Sequence, residues 1–355
     1  MAKDYSGPTR QETAPTAPAG GETRRSEART SVRSIIRKVA PVFVTAAIFA
    51  LLFRRIPYWQ LIEALGDADY ATFLLLMIPN TAVYFCWDTL ILSVAIRWFH
   101  GPIRYREVLP VRAASYVVAL FNTSLARGAL AAYLARRLQA PFLPLGGTVI
   151  FLVLTEYTHL VAWGALGMLL GASQIPRPLL WIPPAVALFW LVFLFYARVH
   201  VSPWTAVRVL IGSRGPGGRR GLPDWAILQT FRLAPARRYV QIVALRAPMF
   251  FVSLCLHYLA ARTFGIAIPF VQMLSFLPII FMLAALPITV AHLGTTQAAW
   301  VLFFGAYAPA PRLLAFSLAA HGTFTLTRAL IGVAFTPLAY RDLAAPRQPV
   351  PSPAG

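Results

Sequence analysis

Cysteine is almost missing from this 355-residue chain: Cys86 and Cys255 are the only two, each inside an apolar run. That excludes a disulfide framework and any Cys-x-x-Cys metal site. Lysine is as scarce, at Lys3 and Lys38 alone, so no apolar segment carries the amine of a Schiff base. Acidic residues number 12 against 32 basic ones, for a formal net charge of +20. A Gly-x-x-x-x-Gly-Lys-Ser/Thr phosphate loop, a His-Glu-x-x-His zinc helix and a Gly-x-Ser-x-Gly nucleophile turn are all missing. Direct use of ATP and the commonest hydrolase sites go with them.

What is present is apolar. Hydrophobic residues make up 58% of the chain and charged ones 12%, against roughly 45–50% and 25% in soluble domains. The mean hydropathy is +0.64. About 20 apolar residues cross ~30 Å of hydrocarbon. Runs of that order lie at 39–53, 71–96, 147–170, 179–197, 239–261 and 313–338. The sequence therefore predicts an all-α polytopic membrane protein with about six full spans. Residues 1–34, rich in Pro, Gly and Arg, read as a disordered tail, 35–341 as the transmembrane domain, and 342–355 as a second tail.

Two further apolar stretches, 108–138 and 268–307, are interrupted. The first breaks at Asn122, Thr123 and Ser124, and the second at Pro287-Ile-Thr289 and again at His292-Leu-Gly-Thr-Thr296. Each half is short for a span, and each break holds helix-capping residues. Non-helical backbone at membrane depth persists only where protein or a water-filled cavity covers it. With the amino terminus inside, 24 basic residues face the cytoplasm, eight of them in the loop 198–238, and five face outward. That bias puts both termini in the cytoplasm. It requires each interrupted stretch to return to its own side, so the two form re-entrant hairpins of opposite orientation, the pattern of an inverted repeat with a site between them. The Arg214-Gly-Pro-Gly-Gly-Arg-Arg-Gly221 tract has no interleaved aromatic residue to stack on bases, so it points to anionic headgroups and not to nucleic acid.

The segments Arg55-Ile-Pro-Tyr-Trp-Gln-Leu-Ile-Glu63, Arg104-Tyr-Arg-Glu107, Gly128-Ala-Leu-Ala-Ala-Tyr-Leu-Ala-Arg-Arg137, Leu154-Thr-Glu-Tyr157 and Leu286-Pro-Ile-Thr-Val-Ala-His-Leu-Gly294 carry a likeness. Through them the chain resembles the flippase-like family of the lysylphosphatidylglycerol synthase transmembrane region, related to the membrane part of the multiple peptide resistance factor. The resemblance covers roughly residues 54–338. It implies a lipid-translocating membrane domain in a bacterial cytoplasmic membrane. The chain reads as a diverged member: the family's Glu-Arg pair is Glu156-Tyr157, and the acid after its glycine-rich signature is Gln297. It is expected to lack the family's aminoacyltransferase domain, since its largest polar segment, about 40 residues, is too small to bury a core.

Ionisable groups at membrane depth are functional candidates by default. Glu156 lies mid-span, with His159 three residues on and on the same helix face. One Glu-x-x-His is only half of a di-iron motif, so no metal is expected. Arg127, just after the caps, suits a lipid phosphate, and either Arg127 or Arg246 suits an ion pair with Glu156. The expected substrate-binding set is Glu156, Arg127, His159, Asn122, Thr123, His292, Thr295 and Gln297, with no catalytic residue and no cofactor. Asp88, His257, His321 and Arg328 are expected to pair within the bundle. The leading functional expectation is a translocase of a lipid or lipid-linked headgroup, with membrane lipids as partners and room for a homo-oligomer. The alternatives are a membrane enzyme acting on a lipid headgroup and a non-catalytic partner of a lipid-biosynthetic complex.

Overall fold

The computed structural model describes residues 42–121, 123–171, 175–198, 226–284 and 293–344, and among these it holds helices and no strand. Helix α1 is Val42–Arg55 and α2 Tyr58–Gly66. Then follow α3 Tyr70–Phe99, α4 Tyr105–Phe121, α5 Thr123–Leu138 and α6 Phe142–Leu169. A 3₁₀ turn at Arg177–Trp181 leads into α7 Ile182–Arg198. Two short helical pieces, Ala226–Leu228 and Gln229–Leu233, precede α8 Ala236–Arg262. The remainder is α9 Phe270–Ala284, α10 Thr295–Phe304 and α11 Ala310–Ala344.

Five segments are long and apolar enough to cross a membrane: Tyr70–Phe99, Phe142–Leu169, Arg177–Tyr196, Ala236–Arg262 and Ala310–Arg341. They match five of the six runs read from the sequence, and the chain has the make-up of a multi-pass membrane protein. The sixth run differs. It becomes α1, which meets α2 at an angle of 88°. Pro57 stands at that corner, and its ring fixes a φ of −60° just before α2 starts. The segment after this corner is a helix, with Leu61 and Ala64 buried and Tyr58 and Trp59 exposed.

Local chemistry sets the other ends. Asp69 Oδ1 accepts the Thr72 N–H at 3.1 Å and caps α3. Gly101 (φ 118°) and Gly171 (φ 91°) follow the last turns of α3 and α6, where a side chain would be strained. Both interrupted stretches form helix pairs. Helices α4 and α5 meet at residue 122 and pack on each other, as α9 and α10 do across 285–292.

Close helix crossings rest on glycine, as is common where apolar helices associate by packing alone. A Cβ on Gly167 of α6 would lie 2.7 Å from the Ser275 backbone nitrogen of α9. One on Gly332 of α11 would lie 2.9 Å from the Ala113 carbonyl of α4. The bundle holds two main apolar clusters. One gathers Phe73, Phe264, Trp300 and Phe316, with Phe73, Phe264 and Phe316 in mutual edge-to-face contact. The other gathers Ile91, Phe151, Phe231 and Ile242. Helix α7 stands at the periphery, with Leu191 71% and Phe195 68% exposed. Such a helix, apolar all round, suits a lipid environment.

Candidate functional site

A cavity of about 310 Å³ lies between the two apolar clusters. Leu160, Phe250 and Trp300 of the first and Leu130, Val149 and Leu152 of the second both reach its wall. Polar residues line it from seven helices, with Thr123 and Arg127 from α5 and Thr296 from α10. Helix α3 supplies Asn80, Tyr84 and Asp88 at intervals of four, and α4 supplies Arg112, Ser115 and Tyr116. Helix α6 supplies Glu156 and His159, α8 supplies Arg246, Ser253 and His257, and α11 supplies Ser317, His321, Thr325 and Arg328. Spacings of three, four, seven and eight put each set on one helix face.

The two acids have different partners. Asp88 pairs with Arg112, whose Nε donates to Oδ2 at 2.6 Å. Glu156 Oε1 accepts the Tyr84 hydroxyl at 3.1 Å. Among the described residues no ion pair joins Glu156 to Arg127 or Arg246, so the pairing expected for it is corrected. Its helix neighbour takes Arg127 instead, through a hydrogen bond between the Tyr157 and Arg127 side chains.

Of the remaining cations Arg246 is buried and Arg328 partly buried. Arg246 is 1% exposed. Its Nη2 donates to the Leu152 carbonyl at 3.1 Å, while Nε and Nη1 have no hydrogen-bond partner. The Arg328 guanidinium lies 3.9 Å from the Tyr116 ring centroid, and Arg112 lies 5.2 Å from the same ring. Cation–π contact partly replaces lost hydration. Yet Arg328 Nε and the Tyr116 hydroxyl are buried without partners. His159 accepts from Trp163 Nε1 at 2.9 Å and packs edge-on against Phe250. His257 is 2.8 Å from the Ser253 carbonyl through Nδ1.

Of the residues singled out in the sequence, Glu156, Arg127, His159 and Thr123 line the cavity. Thr295 and Gln297 do not, although Thr296 between them does. Gln297 is fully buried and its Oε1 accepts the Gly294 N–H at 2.6 Å, which secures the start of α10. Asn122 and His292 lie outside the described residues. The cavity adds Arg112, Arg246, Arg328, Tyr84 and Tyr116. Arg112 sits inside α4, in the first half of the interrupted stretch 108–138. A scan for polar residues recurring at helical spacing within apolar runs finds most of these. Among the described residues no three His, Cys, Asp or Glu side chains cluster as a metal site would need.

No protein-family model matches the chain, and no curated protein matches it. The functional reading therefore stands on the residues themselves.

Proposed function

We propose that the chain is an integral-membrane translocase for an anionic lipid or lipid-linked headgroup. The observation that carries this reading is the cavity, where Arg112, Arg127, Arg246 and Arg328 face only Asp88 and Glu156. A space lined by both cations and aliphatic side chains suits an amphiphile with a negative head. The two broken helix pairs support it as halves of an inverted repeat around a central site. The resemblance to the flippase-like family points the same way. On this reading the protein sits in a bacterial cytoplasmic membrane with both termini inside, as its basic bias favours.

Two experiments test it. The purified chain is reconstituted into liposomes carrying a trace of headgroup-labelled anionic phospholipid, and a membrane-impermeant quencher is added. A translocase exposes the inner-leaflet label, so quenching passes the half-way plateau of protein-free vesicles. A plateau unchanged by protein rejects the reading. Orientation is checked with Asp67→Cys and Arg104→Cys in a chain without its native cysteines: the first should react with an impermeant thiol reagent from outside the cell, the second only from inside.

A further inference from the structure

The proposed translocation leaves open which anion the cavity takes, and the inference here rests on that reading. Four guanidiniums against two carboxylates give the cavity walls a formal excess of two positive charges. Uncompensated charge in a desolvated space is costly, because hydration is lost and no counter-charge replaces it. The excess is localised. Arg112 is matched by Asp88; Arg127 hydrogen-bonds to the neutral Tyr157, and in the count of charges Glu156 offsets it, which leaves two cations over. Arg246 keeps two guanidinium nitrogens without partners at 1% exposure, and Arg328 keeps Nε. Nε and Nη1 lie on different edges of the guanidinium, each shared with Nη2, so Arg246 offers a phosphoryl group one unpartnered nitrogen on each edge.

We infer that Arg246 and Arg328 hold a dianionic phosphoryl group, a phosphomonoester or diphosphate at the head of a lipid, between the two apolar clusters. A phosphomonoester carries about −1.5 to −2 charges near pH 7, whereas a phosphodiester carries one, so only the former balances the walls. The buried Tyr116 hydroxyl supplies a further donor beside Arg328. Leu130, Val149 and Leu160, which line the same cavity, favour a lipid-borne phosphate over a free one.

The test is calorimetric titration of the full chain in detergent with dioctanoyl phosphatidic acid, dioctanoyl phosphatidylglycerol, dioctanoyl phosphatidylcholine and inorganic phosphate. Phosphatidic acid should bind about tenfold or more tightly than phosphatidylglycerol, the worth of one charge-assisted contact, and phosphatidylcholine more weakly still. Arg246→Gln should weaken phosphatidic acid by a similar factor and erase its advantage over phosphatidylglycerol. Arg246→Lys, which keeps the charge and loses the planar guanidinium donors, should fall between. The exposed Arg177→Gln should bind as the parent does. If Arg246→Gln does not fold, Arg328→Gln and the parent's selectivity decide the matter.

Equal affinity for the two anionic lipids, or an unchanged affinity in a folded Arg246→Gln protein, overturns the assignment. Inorganic phosphate binding as tightly as phosphatidic acid overturns the lipid source. Selective binding without lipid movement in liposomes keeps the site and removes the translocase. Lipid movement without phosphatidic acid preference does the reverse.

Discussion

Tyr84 and Glu156, 72 residues apart in sequence, share a hydrogen bond of 3.1 Å at the cavity wall. The phenol supplies a donor without supplying a charge, so the carboxylate is held while the cavity keeps its excess of arginine. Glu156→Gln retains a carbonyl oxygen for Tyr84 and should leave thermal stability within about 1 kcal/mol of the parent. Lipid movement in that variant should drop by at least about tenfold, as expected when a charged contact is removed. Tyr84→Phe does the opposite, leaving the carboxylate without its donor at a cost of about 1–3 kcal/mol. Thermal unfolding and the liposome assay, run on both variants, separate the two effects.

Asp88 and Arg112 make a buried ion pair, with side chains 11% and 20% exposed. Removing one partner strands a charge that the surroundings cannot hydrate. Asp88→Asn should therefore lose about 3–5 kcal/mol, whereas replacing both residues by Leu and Met should recover most of that loss. A double variant as unstable as Asp88→Asn would mean that Arg112 is held as much by Tyr116 as by its acid.

The spans were legible because long apolar runs have one stable form in a bilayer, and five of the six end within a few residues of their helices. Each interrupted stretch holds two described helices, α4 with α5 and α9 with α10, while residue 122 and residues 285–292, on which most of the expected breaks fall, lie outside the described residues. The cavity was legible only in part. Glu156, His159, Arg127 and Thr123 stood out as polar groups in or beside apolar runs, but their partners come from distant helices and depend on how the bundle packs. Arg112 was hidden because three nearby arginines, Arg97, Arg104 and Arg106, made the whole stretch resemble a basic loop. Gln297 lies off the cavity wall and accepts the Gly294 N–H: a polar side chain beside a helix start serves a cap as readily as a ligand.

Gly167 tests the packing that shapes the cavity. A side chain there meets the Ser275 backbone at 2.7–2.8 Å, so α6 and α9 must separate. Gly167→Val should cost about 1–3 kcal/mol, as overpacking does. Gly146, on the same helix with nothing within 4 Å of a built Cβ, is the control. Gly146→Ala should be neutral or stabilising by up to about 1 kcal/mol, because alanine is the better helix former. Equal losses at both sites would show that the crossing is not set by glycine.

His100 lies just past the end of α3, half-buried, with Nε2 2.7 Å from the Thr148 hydroxyl of α6. Thr148 is in turn 2.7 Å from Thr230, so the imidazole joins a polar link between three parts of the chain. Burial pushes its pKa below the ordinary histidine value of 6.5. In the unfolded chain the ring takes up a proton as the pH falls through about 6.5, while the folded protein resists it. The unfolded state then binds more protons, and folding stability decreases with acidification. Above the unfolded value both states are neutral and the contribution is flat. Below the folded value both are charged and it is flat again. The melting temperature of the parent should thus fall between pH 7.5 and pH 5.5. His100→Gln, which keeps hydrogen-bonding capacity without titrating, should show a shallower fall over the same interval. A slope unchanged by the substitution would assign the pH dependence to another group and leave the His100–Thr148–Thr230 link without a titrating member.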